Sequence, residues 1–198
     1  MVTLEGDWSN GAFYITAGSL NGHIAIDGLA SPSTQRDKEI IDILSSAGAN
    51  IIKEDKRIIA QHSVLKAQEI DVSEIPDLLP VLAVAASFSE GTTFFKNAAR
   101  LRLKESDRLS STASMLKALG GQVEELSDGL IIKGVIKLKG GITESFGDHR
   151  IAMAAAVAAT SCRDRVIIKN AEAINKSYPS FFEDYRSLGG EVHVLNDR

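Results

Sequence analysis

Apolar and small residues run almost unbroken through "PDLLPVLAVAASFSEG" and "GDHRIAMAAAVAATSC", and a more polar version of the pattern fills "GDWSNGAFYITAGSLNG". A helix that is apolar on every side is enclosed by other elements, so these stretches predict three central helices. Each opens on an aspartate: Asp7 to Asp77 is 70 positions, and Asp77 to Asp148 is 71. A β-rich run follows each helix, "GHIAIDGLA", "TTFFKNAAR" and "RVIIKNAEA", which sets Asp27, Asn97 and Asn170 at matching places. Next comes an outer helix with a charged face, as in "RDKEIIDILSS", ending at "SSAGANI", "KALGGQV" or "RSLGGEV". Its inner face carries Leu44 and Ala47, Leu116 and Leu119, or Tyr185 and Leu188 at helical spacing, and a glycine follows as the stop. The first two units then enter short alternating strands, such as the hairpin "QVEELSDGLIIKG" around Ser127, Asp128 and Gly129.

The pattern therefore predicts an α+β domain of three repeats, about residues 1–70, 71–140 and 141–198. No linker or low-complexity stretch separates the units, so a single core shared by all three is expected.

The composition narrows the function. The chain has 198 residues, 44% of them hydrophobic, enough for a sizeable core. Its 22 basic and 26 acidic residues leave a net charge of −4, which argues against a nucleic acid or an anionic membrane as the main partner. Any anion site must be local. The single cysteine, Cys162, and four scattered histidines, His23, His62, His149 and His193, have no metal-ligand spacing, so a metal is not expected. There is no long apolar run and no leader, which fits a cytoplasmic protein.

The densest charge lies in "RLRLKESDRL", residues 100–109. Read as extended, residues 100–104 place Arg100, Arg102 and Lys104 on one side and the leucines on the other. The period becomes helical at Glu105 or Ser106, which puts Glu105 and Arg108 on one helix face. Cations beside free helix N–H groups make an anion pocket; an ion-paired surface helix fits the same spacing. Asp7, Asp77 and Asp148 stand where a helix cap is the ordinary role, with Pro76 fixing the approach to Asp77. In "FGDHRIAM", His149 and Arg150 occupy the first turn of an apolar helix, where the positive helix end disfavours a cation. Arg150 therefore needs an anion or a neighbouring carboxylate. Lys176, in "INKSYPSFFEDY", follows the third unit's strand much as Lys104 follows the second's.

"RLKESDRL" and "FGDHRIAMA" resemble the signature stretches of the 5-enolpyruvylshikimate-3-phosphate (EPSP) synthase family, and "GDWSNGAFY", "IPD" and "NKSYPSFFEDY" resemble its other blocks in the same order. The resemblance implies a two-domain inverse α/β barrel, each domain holding three βαβαββ units about a pseudo-threefold axis, with the active site in the cleft between them. It implies that this chain is the C-terminal domain only. The N-terminal domain would be missing, the isolated chain inactive and the full enzyme a monomer. The implied reaction transfers the carboxyvinyl group of phosphoenolpyruvate to the 5-hydroxyl of shikimate 3-phosphate, releasing phosphate, without metal or cofactor. By resemblance Asp77 accepts the hydroxyl proton, Glu105 handles protons at the methylene carbon and Lys104 contacts shikimate 3-phosphate. Arg108, Arg150 and Lys176 hold phosphoenolpyruvate, with His149 and Asp7 in lesser roles. Arg100 stands where some members place an asparagine that touches the shikimate ring. The alternatives are a UDP-N-acetylglucosamine carboxyvinyltransferase-like domain and a non-catalytic anion-binding domain.

Overall fold

The computed structural model describes residues 4–29, 32–54 and 56–195. The outermost limits of the predicted repeats, at residues 1 and 198, lie outside these. The first unit contains α1 (Trp8–Asn21), β1 (His23–Asp27), α2 (Ile40–Ser46), β2 (Asn50–Lys53) and β3 (Arg57–Gln61). The second contains β4 (Glu69–Asp71), α3 (Leu79–Ser87), β5 (Thr92–Lys96), α4 (Arg108–Ala118), β6 (Gln122–Leu126) and β7 (Gly129–Lys133). The third contains β8 (Gly141–Glu144), α5 (His149–Ala159), β9 (Val166–Lys169) and α6 (Phe181–Ser187). Because β4 pairs with β5, the break between the first two units falls before Glu69 rather than after residue 70.

The three apolar helices are central. α3 is buried along its whole length and α5 from His149 to Ala158, and α1, α3 and α5 pack against one another. The outer helices lie around them, but α4 is more deeply set than its pattern predicts. Only Ser114, Lys117 and Ala118 of α4 are exposed, because α3, α5, β6, β7 and β8 all flank it. α6 is anchored by Phe181, whose ring packs on Phe13 and Tyr14 of α1 and whose carbonyl accepts the Tyr14 hydroxyl at 2.8 Å. That contact ties the third unit to the first.

The three sheets run β1-β3-β2, β4-β5-β7-β6 and β8-β9. β4 with β5 and β8 with β9 are parallel, each pair joined through a central helix, and the remaining pairings are antiparallel.

The predicted glycine stops are left-handed. Gly48, Gly120 and Gly189 have φ of 101°, 90° and 95°. After each, the next residue's N–H donates to the carbonyl five positions back, from Ala49 to Leu44, Gly121 to Leu116 and Gly190 to Tyr185.

Four expectations are corrected. The turn after the strand that follows each central helix is left-handed at Gly28, Asn97 and Asn170, with φ of 90°, 59° and 52°, so the match to the two asparagines is Gly28 and not Asp27. Asp27 still belongs to β1 and pairs with Arg57. "ARLRL" is not extended: Ala99–Leu103 is a 3-10 helix that buries Leu101 and leaves Leu103 88% exposed. Helix α4 begins at Arg108, capped by Asp107, and not at Glu105 or Ser106. Leu188 is 51% exposed, whereas its counterparts Ala47 and Leu119 are buried.

Candidate anion site

Packing of α3, α4 and α5 brings together the three chain entries that precede them. Asp148 caps α5, accepting the Arg150 backbone N–H at 2.9 Å, and Asp107 caps α4, accepting that of Ser110 at 3.1 Å. Asp7 caps α1 through the Asn10 N–H at 3.0 Å and is exposed. Asp77 departs from its predicted cap role. It sits within the 3-10 turn Pro76–Leu78, α3 has no side-chain cap, and the Asp77 carboxylate turns instead toward cations of its own unit and of the third.

Arg108 is the hub. Its side chain is 1% exposed. Nε donates to Asp148 Oδ2 at 2.8 Å, Nη1 to Asp77 Oδ1 at 2.5 Å, and Nη2 to Glu105. The Ser106 hydroxyl also donates to Asp148, at 3.1 Å. A buried guanidinium is tolerated only when its charge and donors are matched, and these carboxylates supply both. Lys104 and Glu105 keep side chains 32% and 38% exposed at the edge of the cluster, while Arg108 is enclosed.

Asp77 receives three cations. Besides Arg108, Lys104 Nζ lies 3.3 Å from Oδ1 and Arg150 Nη2 lies 3.2 Å from Oδ2. Burial works to raise the Asp77 pKa, but the Arg150, Arg108 and Lys104 charges together hold its carboxyl below the usual range. Asp148 follows the same pattern, with burial overcome chiefly by the Arg108 hydrogen bond and charge. Arg150 is 8% exposed, and its Nε and Nη1 are buried without a hydrogen-bond partner among the described residues. His149, beside it, is 5% exposed; burial and then the Arg150 charge push its pKa down, which keeps the ring neutral at pH 7. Lys176 ends a 3-10 helix, Ala171–Lys176, and donates to the Gly147 carbonyl at 2.8 Å, next to the Asp148 cap.

Two of the predicted cations do not join the cluster. Arg102 turns away to Asp107, Glu125 and the carbonyls of Leu126 and Ser127, a structural role. Arg100 is exposed, and no ion pair involving it is found among the described residues. Pattern reading missed the Arg108–Asp148 pair, because a capping aspartate gives no sign of its second partner. It also missed Asp37, which is 8% exposed, accepts the Ser9 hydroxyl and lies near enough to feel Arg150 and Asp77. Burial raises the Asp37 pKa.

Chemically, the cluster offers cationic donors at the mouth of one face, an ionised carboxylate among them and a second carboxylate, Glu105, at the exposed rim. No group of three or more metal-ligating side chains occurs among the described residues. No helix in the described structure is long and apolar enough to cross a membrane.

Residues 1–185 match the sequence model of the EPSP synthase (3-phosphoshikimate 1-carboxyvinyltransferase) family. A 3-phosphoshikimate 1-carboxyvinyltransferase from Clostridium acetobutylicum is 50% identical over 190 residues, covering 96% of this chain and 44% of that protein. One from Clostridium novyi is 49% identical over 189 residues, covering 96% of this chain and 43% of that protein. Among solved structures, EPSP synthase from Acinetobacter baumannii superposes with a TM-score of 0.87 at 26% identity, covering 98% of this chain and 48% of that one. The chain thus spans less than half the length of these relatives.

Proposed function

This chain belongs to the EPSP synthase family, and from that premise we propose that it forms the C-terminal domain of a cytoplasmic 3-phosphoshikimate 1-carboxyvinyltransferase, whose cleft a second domain completes. The substrates in this reading are phosphoenolpyruvate and shikimate 3-phosphate. The observation that carries it is Arg150, a buried cation with two unpartnered nitrogens beside Asp77. Buried donors of this kind are normally matched, and a carboxylate or phosphate would match them.

Arg150, Arg108 and Lys176 hold the carboxylate and phosphate of phosphoenolpyruvate, and Lys104 faces shikimate 3-phosphate. Asp77 is ionised at neutral pH and accepts the 5-hydroxyl proton as that oxygen bonds to the central carbon of phosphoenolpyruvate. Incoming anions share the cations that lower the Asp77 pKa, which makes it a stronger base when the site is occupied. Glu105 delivers a proton to the methylene carbon in the addition and removes one as phosphate leaves. His149 and Asp7 shape the helix entries without touching the reacting atoms.

The test is a chimera in which this chain replaces the matching C-terminal portion of the Clostridium acetobutylicum relative. Phosphate release that requires both substrates supports the reading. A folded chimera that releases none contradicts it.

A further inference from the structure

A carboxylate stands near Arg150 without bonding to it. Asp37 belongs to the 3-10 turn Arg36–Glu39, which packs against α1, and is 8% exposed. The approach to this turn is pinned to the start of α1. Gln35 accepts the Trp8 N–H at 2.9 Å and donates to the Gly6 carbonyl at 3.0 Å, and Asp37 accepts the Ser9 hydroxyl. Helix α1 in turn packs against α5, whose first turn carries Arg150, and against the turn that holds Asp77. Asp37 is thereby within electrostatic reach of both residues. Burial opposes its ionisation, while the Ser9 hydroxyl and then the Arg150 charge favour it. Among the described residues Asp37 nevertheless forms no ion pair, and Arg150 keeps Nε and Nη1 unpartnered.

The charges of the cluster show what this carboxylate adds. Lys104, Arg108, Arg150 and Lys176 bring four positive charges, and Asp77, Glu105 and Asp148 bring three negative ones, so four minus three leaves one positive charge. Asp37 cancels it. A carboxylate bonded directly to Arg150 would fill the donors that an anion needs. One held back by Ser9 supplies its charge through space and leaves those donors open. We infer that Asp37 is a positioning residue that acts through Arg150: it balances the buried guanidinium between binding events and loosens the site's hold on free phosphate. A phosphate-releasing site has use for such a counterweight, because its own product is an anion that fits the same cations. This inference rests on the reading of Arg150 as an anion-binding residue.

Titration with inorganic phosphate, followed through the Arg150 side-chain NMR signals, compares the chain with its Asp37→Asn variant. Removing the charge should tighten phosphate binding about three- to tenfold. Asp37→Glu, which keeps the charge, should stay near the parent affinity, and in an Arg150→Gln background Asp37→Asn should lose most of its effect. A carboxylate that only braced the fold would weaken binding or leave it unchanged when replaced, and either result overturns the inference. An undiminished gain in the Arg150→Gln background overturns it as well, since the effect would then belong to net charge. Shifts centred on Arg150 but insensitive to Asp37 remove this inference alone, whereas binding that leaves Arg150 unmoved removes the anion-site reading with it. If the isolated chain binds phosphate too weakly to saturate, phosphate inhibition against phosphoenolpyruvate in the chimera described above gives the same comparison, with stronger inhibition expected for Asp37→Asn.

Discussion

Arg108 Nε and Asp148 Oδ2 lie 2.8 Å apart with side chains 1% and 0% exposed, so the first residue of one helix is neutralised by the cap of another 40 positions away. The pair locks α4 to α5 and points the rest of the guanidinium at Asp77 and Glu105.

Asp148→Asn should therefore destabilise the chain by about 3–5 kcal/mol, the usual penalty for leaving a buried charge with a lost partner. Asparagine caps helices as well as aspartate does, so the loss reports the charge pair and not the cap. Urea unfolding measures it; a loss under about 1 kcal/mol contradicts the assigned role.

The lowered pKa values of Asp77 and Asp148 give an acid-side dependence. Their contribution is fully present above the unfolded carboxyl value of about 3.9 and is lost as pH falls below it toward the folded values. Asp37 has the opposite sign: its raised pKa means that ionisation opposes folding as pH rises. Asp37→Asn should stabilise the chain at pH 7 and leave it unchanged near pH 3, as followed by unfolding midpoints at the two pH values.

Two glycines separate backbone strain from collision. Gly189 has φ of 95° with open space where a Cβ would stand, so Gly189→Ala should cost only about 1 kcal/mol, a shift in Tm of roughly 2–4 °C. At Gly134 an added Cβ would run into the Ser89 carbonyl oxygen, so Gly134→Ala should lower Tm several times further.

Glu105→Gln in the chimera should reduce kcat about 100-fold or more while changing KM far less, the signature of a group that acts in the transition state. An unchanged kcat removes Glu105 from the mechanism.

The central helices and glycine stops were legible because each depends on local pattern: an apolar run with no polar face, and a residue type that tolerates positive φ. The 3-10 turn at Ala99–Leu103 was not legible, because Arg102 is drawn off by Glu125 and the Leu126 carbonyl, which the hairpin brings from more than 20 positions away. The burial of Arg108 was not legible for the same reason, since it is set by Asp77 and Asp148 from the two neighbouring helix entries. The exposure of Leu188 was not legible either, because helical spacing alone does not show what packs against that face.

Titration of the isolated chain with phosphoenolpyruvate, followed by side-chain and amide NMR, tests the central claim most directly. Saturable shifts centred on Lys104, Arg108, Arg150 and Lys176, and sharply weakened by Arg150→Gln, are the result predicted here. Saturable binding that leaves those four residues unmoved would contradict the assignment of this cluster as the anion site.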